Sequence, residues 1–257
     1  MKTPAFSATL ATLVLAFSAA GWAADDAHDS AHWSYEGTKA PAHWGKLSND
    51  YVTCDRGKNQ SPVDFSDSEP ISGGKLSFHY PPLRYTAINN GHTVQAMPDG
   101  PEQFLTIGDQ PFVFRQFHFH TPSEHTFQRR YFPMEVHFVH QGVNDGDALA
   151  VLGVVFEEGP ENPALAPLLA RQVLLGQTVR LNQPLDIEPL FPQDRQHFQL
   201  NGSLTSPPCS EGVHWIVFKK PVSASKAQIE QMRAMIGQAN NRPVQPLNSR
   251  TILDRPH

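Results

Sequence analysis

Short apolar runs separated by turn residues dominate the hydrophobic pattern of this 257-residue chain. The segments 110–119, 134–140 and 148–156 are rich in Val, Phe and Leu and are bounded by Pro, Gly, Asn and Asp. That is the punctuation of strands and turns. Through Gln116-Phe117-His118-Phe119-His120 the pleat sends Gln116, His118 and His120 to one face and both phenylalanines to the other. In the next run Glu135, His137 and Val139 share a face, and His140 points the other way. Two segments carry helical spacing instead, 163–175 and 226–236, the second preceded by Ser225 and Gln228 at capping-box separation. The pattern predicts a mainly β (α+β) chain with few helices.

The N-terminus has a different pattern. Lys2 precedes an apolar run through Leu10, Leu13, Val14, Leu15 and Phe17, followed by small residues. This reads as a secretory signal peptide, too short to span a bilayer, with cleavage expected after Ala23. Residues 24–31 read as a flexible acidic tail and 32–257 as one folded domain, since no linker, repeat or low-complexity tract divides the rest. No later stretch is apolar and long enough for a membrane span. Export makes a disulfide the favoured reading of Cys54 and Cys209, against two buried free thiols. The formal net charge is −5, and losing the single positive charge of Lys2 makes it −6. With no basic run either, nucleic acid is not expected as a partner.

The chemistry concentrates on the polar face of the two His-bearing strands. A lone His-x-His pair occurs on ordinary strand faces, but antiparallel pairing would bring His137 beside His118 and His120. Three imidazoles with an open fourth position make a catalytic zinc site, and neutral ligands leave the metal strongly Lewis acidic. Gln116 and Glu135 are placed to accept from ligand rings and orient them. The alternative is a polar patch, which would be costly to bury on two apolar strands without a metal.

These residues also carry a resemblance. Gln116-Phe117-His118-Phe119-His120, Ser123-Glu124-His125 and Glu135-Val136-His137-Phe138-Val139-His140 resemble the signature of the alpha carbonic anhydrases. Asn59-Gln60-Ser61-Pro62-Val63-Asp64, Asn90-Gly91-His92, Leu149–Gly153, Asn201–Pro208, Trp215–Phe218 and Asn241–Leu247 follow in that family's order. The resemblance implies a central, mostly antiparallel sheet of about ten strands with a few short surface helices. It implies cis bonds at Ser61-Pro62 and Pro207-Pro208, and it supports the Cys54–Cys209 bridge.

For chemistry, the resemblance implies one Zn2+ per chain on His118, His120 and His137. The activity would be reversible hydration of carbon dioxide to bicarbonate and a proton, by attack of zinc-bound hydroxide. Thr205 would orient that nucleophile and Glu124 would hold Thr205. Val139, Val151, Leu204 and Trp215 would form an apolar wall for the substrate beside Thr205 and Ser206. His92 would shuttle the proton, with Tyr35, Asn90 and Gln95 ordering the waters between. Anion and sulfonamide inhibitors are expected, and a homodimer is left open. Ser34, Ser206 and Thr121 depart from common family residues, and the short link from Thr121 to Ser123 resembles bacterial members, so the periplasm is the expected location. Two rival classes are a catalytically silent binding module, which would require loss of a ligand histidine, and a histidine-rich metal buffer. All three ligands are present, and the other histidines among the 13 are scattered.

Overall fold

The computed structural model describes residues 32–256. The expected signal peptide and residues 24–31 lie outside the described residues. In chain order the strands are β1 (Glu69–Pro70), β2 (Leu76–Phe78), β3 (Arg84–Asn89), β4 (Val94–Asp99), β5 (Phe104–Ile107), β6 (Gln110–His120) and β7 (Met134–Gly142). They continue with β8 (Leu149–Glu158), β9 (Thr178–Arg180), β10 (His197–Ser203), β11 (Glu211–Phe218), β12 (Val222–Ala224) and β13 (Leu253–Arg255). The α-helices are short: α1 (Trp44–Leu47), α2 (Thr53–Arg56), α3 (Ala166–Leu169) and α4 (Lys226–Ile236).

Ten of the thirteen strands among the described residues form one ladder in the order β1-β13-β10-β11-β8-β7-β6-β4-β3-β9, and β2, β5 and β12 attach beside it. Pairing is mostly antiparallel. The exceptions are β1 with β13, and β8 with β11 and β12. Both faces are covered, so β7 and β8 are buried along most of their length, and β8 reads as an almost continuous apolar run rather than as clean alternation. Phe117, Phe119, Val136 and Phe138 pack on one face with Ile229, Met232 and Ile236 of α4, all buried. Each such side chain contributes roughly 1.5–3 kcal/mol by leaving water. The opposite face carries Val63, Phe65, Val139, Val151, Trp215 and Val217.

One irregularity positions the site. Phe114 pairs with His140 but Gln116 pairs with Val139, so Arg115 is an extra residue, a β-bulge. The bulge lets Phe112 and Phe114 share the core with Phe117 and Phe119 despite the three-residue step between the pairs. Arg115 itself is exposed, and its Nε donates to Gln141 Oε1 at 3.0 Å.

Helix α4 has the predicted bounds, and both halves of the Ser225/Gln228 capping box are formed. The helix expected over 163–175 is a correction, because only Ala166–Leu169 is helical. The amides of Arg171 and Gln172 bond three residues back, to Leu168 and Leu169, and Gln172 then takes a positive φ of 42°. That combination tightens and ends the helix. Leu174 and Leu175, apparent helix-face residues, are 60% and 75% exposed. The bonds at Ser61-Pro62 and Pro207-Pro208 are cis, as is Thr121-Pro122, which was not anticipated. Cys54 and Cys209 are disulfide-bonded with Cα atoms 5.0 Å apart.

Candidate active site

Register brings the three imidazoles together. His118 on β6 lies directly across from His137 on β7, and His120 lies across from Glu135. Ring centroids are 5.1 Å apart for His118 and His120, 5.3 Å for His118 and His137, and 4.6 Å for His120 and His137. One nitrogen from each of the three lies within 4.8 Å of those of the other two.

Each ring has its other nitrogen committed to an oxygen acceptor. His118 Nδ1 donates to Gln116 Oε1 at 2.9 Å, His120 Nδ1 to the Asn240 carbonyl at 2.7 Å, and His137 Nε2 to Glu135 Oε1 at 2.8 Å. Because a neutral imidazole carries one N–H, these bonds leave lone pairs on His118 Nε2, His120 Nε2 and His137 Nδ1. His120 Nε2 is buried without a protein partner. Burial also keeps the rings neutral: it is the main cause lowering all three pKa values, that of His120 to about 4. Three neutral nitrogen donors with an uncompensated buried lone pair fit a zinc ion.

Glu135 accepts from four groups: His137 Nε2, His125 Nδ1 at 2.7 Å, and the amides of Glu124 and His125 at 2.8 and 2.9 Å. Burial raises its pKa, but the neighbouring His125 and His137 and their hydrogen bonds hold it well below the usual carboxylate range. Glu124, fully buried, accepts the Thr205 hydroxyl and, at 2.8 Å, the Arg242 amide. Its Oε2 has no hydrogen-bond partner and lies 3.5 Å from His120 Nε2. Desolvation pushes its pKa up to about 7, a shift that a divalent cation alongside would oppose.

A cavity of about 140 Å³ opens on this centre, lined by Gln116, His118, His120, Thr205 and Ser206, and also by Tyr35, Asn90, His92 and Gln95. His92 stacks on Trp33 with centroids 3.8 Å apart and planes at 11°. Burial lowers its pKa, and His32 lowers it further. Val139, Val151 and Trp215 are buried in a cluster with Leu204 packed against it, and these four do not line the cavity. Trp215 meets His137 edge-on at 4.8 Å.

Residues 39–256 match the eukaryotic-type carbonic anhydrases as a family. The chain belongs to the alpha carbonic anhydrases. It is similar to the carbonic anhydrase of Pectobacterium carotovorum, 42% identical over 88% of this chain and 92% of that protein. It is also similar to that of Neisseria gonorrhoeae, 39% identical over 98% of this chain and all of that one. Among solved structures, the alpha carbonic anhydrase of Thermovibrio ammonificans in complex with sulfanilamide superposes with a TM-score of 0.82, at 42% identity over 87% of this chain and 99% of that one.

Within this alpha carbonic anhydrase the sequence reading missed Asn240, His125 and Trp33 as parts of the site. Asn240 acts through its main chain, which no side-chain pattern reveals, although it immediately precedes the recognised Asn241–Leu247 motif. No helix among the described residues is long and apolar enough to cross a membrane.

Proposed function

We propose that this enzyme catalyses zinc-dependent, reversible hydration of carbon dioxide to bicarbonate and a proton, with one zinc per chain on His118 Nε2, His120 Nε2 and His137 Nδ1. The observation that carries this reading is the convergence of three lone pairs, each fixed by an oxygen acceptor behind its ring. Bound zinc supplies Lewis acidity that lowers the pKa of water from 15.7 to about 7, the value known for carbonic anhydrases themselves.

The remaining roles belong to the chain. Glu124 accepts a hydrogen bond from the Thr205 hydroxyl, so the Thr205 oxygen is left as an acceptor in the cavity it lines and orients a hydroxyl nucleophile beside it. Carbon dioxide is apolar, and the Val139, Val151, Leu204 and Trp215 cluster, whose Trp215 meets His137 edge-on, offers it an apolar surface beside the metal ligands. After bicarbonate leaves, a proton must reach solvent. His92 has the right chemistry, and Tyr35, Asn90 and Gln95 share its cavity, where they order the intervening waters. Inhibition by sulfonamides is supported by the sulfanilamide complex of the Thermovibrio ammonificans relative. Export to the periplasm through the 1–23 signal peptide is supported by the disulfide, since such bonds persist in oxidising compartments.

Metal analysis of purified protein tests the ligand assignment. One zinc per chain is expected, with His120→Ala losing it; stoichiometric zinc in His120→Ala would overturn the assignment.

A further inference from the structure

Asn89 closes β3, is 1% exposed, and takes no part in the chemistry described above. A buried amide is tolerated only when its polar atoms are bonded, and here all of them are. Its Nδ2 donates to the Val173 carbonyl at 3.1 Å and to the Met235 carbonyl at 2.6 Å, while its Oδ1 accepts from the Gly91 amide at 3.2 Å. Its backbone pairs with the same neighbouring loop, Asn89 N to the Gln177 carbonyl at 3.1 Å and Gly176 N to the Asn89 carbonyl at 2.8 Å. One side chain thus ties the 173–177 loop and the end of α4 to Gly91, the residue beside His92.

Gly91 has a φ of 86°, a conformation glycine adopts freely, so the turn can reach His92 in more than one way unless something fixes it. The rest of the turn is held both locally and from outside: Asn90 Oδ1 accepts from the amides of His92 and Thr93, each at 2.9 Å, Gln238 Nε2 donates to the Gly91 carbonyl at 3.3 Å, Asn240 Nδ2 to the His92 carbonyl at 3.0 Å, and Thr93 Oγ1 to the Phe119 carbonyl at 2.6 Å. Those bonds hold carbonyls and the far side of the turn, whereas Asn89 holds the Gly91 amide, at the point where the turn leaves β3.

Building on the reading of His92 as the proton-exit group, we infer that Asn89 is a positioning residue that fixes the Gly91-His92 turn and with it the reach of the His92 ring. Asn89 touches no reacting atom. Its effect passes through His92 alone, so removing its amide slows proton export and spares hydration.

A double-mutant cycle tests this. In weak buffer Asn89→Ser should lower kcat about fivefold while leaving kcat/KM for carbon dioxide within about twofold, and imidazole buffer should restore turnover. In a His92→Ala background Asn89→Ser should cost nothing further. Equal losses in both backgrounds, or parallel falls in kcat and kcat/KM, would overturn the positioning role. Unchanged turnover in His92→Ala alone would overturn the underlying reading of His92, a distinct result. Hydrogen exchange on the unsubstituted enzyme gives a test free of folding defects: the Gly91 amide should exchange slowly, and rapid exchange would defeat the inference.

Discussion

Asn240 and His120 stand 120 residues apart in the chain, yet the Asn240 carbonyl accepts the His120 Nδ1 proton at 2.7 Å. The Asn240 side chain holds that carbonyl in place. Its Oδ1 accepts from the Thr121 amide at 2.8 Å, and its Nδ2 donates to the carbonyls of Phe119 and His92 at 2.9 and 3.0 Å. Asn240→Ala leaves the buried Thr121 amide unpaired, at a cost of about 1–3 kcal/mol, and removes one of two side-chain bonds to the Phe119 carbonyl, which keeps Thr93 Oγ1. Zinc affinity should fall about tenfold or more as the ring loses its fixed orientation. Competition with a chelator measures the affinity and urea unfolding the stability; wild-type values for both would contradict this role.

Glu124 supports the second prediction. Its carboxylate accepts from Thr205 and from the Arg242 amide, and it is placed to orient the nucleophile rather than to hold the metal. Glu124→Gln keeps the shape but brings an NH2 donor into a site built for acceptors. A fall in kcat/KM of about 100-fold with zinc content unchanged is expected in stopped-flow hydration and metal analysis. Loss of zinc in step with activity would assign Glu124 to the metal site instead.

The pH dependence of stability follows from His140, on the core side of β7. It is fully buried, with Nε2 2.7 Å from the Tyr80 hydroxyl and Nδ1 3.3 Å from the Ala150 carbonyl, and burial lowers its pKa from 6.5 to about 3. A histidine depressed in the folded state gives stability that is fully present above its unfolded pKa. Below pH 6.5 the unfolded chain binds the proton first, so that stability is lost as pH falls toward 3, by about 1.4 kcal/mol per pH unit. His140→Phe removes the titration, while leaving the Tyr80 hydroxyl unpaired at a cost independent of pH in this range. Between pH 7 and pH 5 the wild type should therefore lose about 2 kcal/mol more than the variant in urea unfolding. Equal losses would mean that His140 titrates normally.

Much of this site was legible because strand alternation is a strict geometric rule: His118 and His120 share a face in any strand that runs through them. The register opposite His137 was legible only as a condition on antiparallel pairing. The bulge at Arg115 was in principle visible, since phenylalanines at 112 and 114 and then at 117 and 119 change face in an unbroken strand. Alternation read across 116–120 alone does not span the bulge and so gives no sign of it. Helix 163–175 failed where hydrophobic spacing outran backbone geometry, with Gln172 turning the chain so that Asn89 meets the Val173 carbonyl. The parallel pairing of β8 with β11 joins strands far apart in sequence and leaves no local signal.

The central claim is that three lone-pair nitrogens on β6 and β7 hold one catalytic zinc. Stopped-flow hydration of carbon dioxide by chelator-stripped protein, followed by titration with zinc, tests it most directly. The account predicts negligible activity in the stripped protein and a linear recovery that ends sharply at one zinc per chain. Full activity without zinc, or recovery continuing to several equivalents, would contradict it.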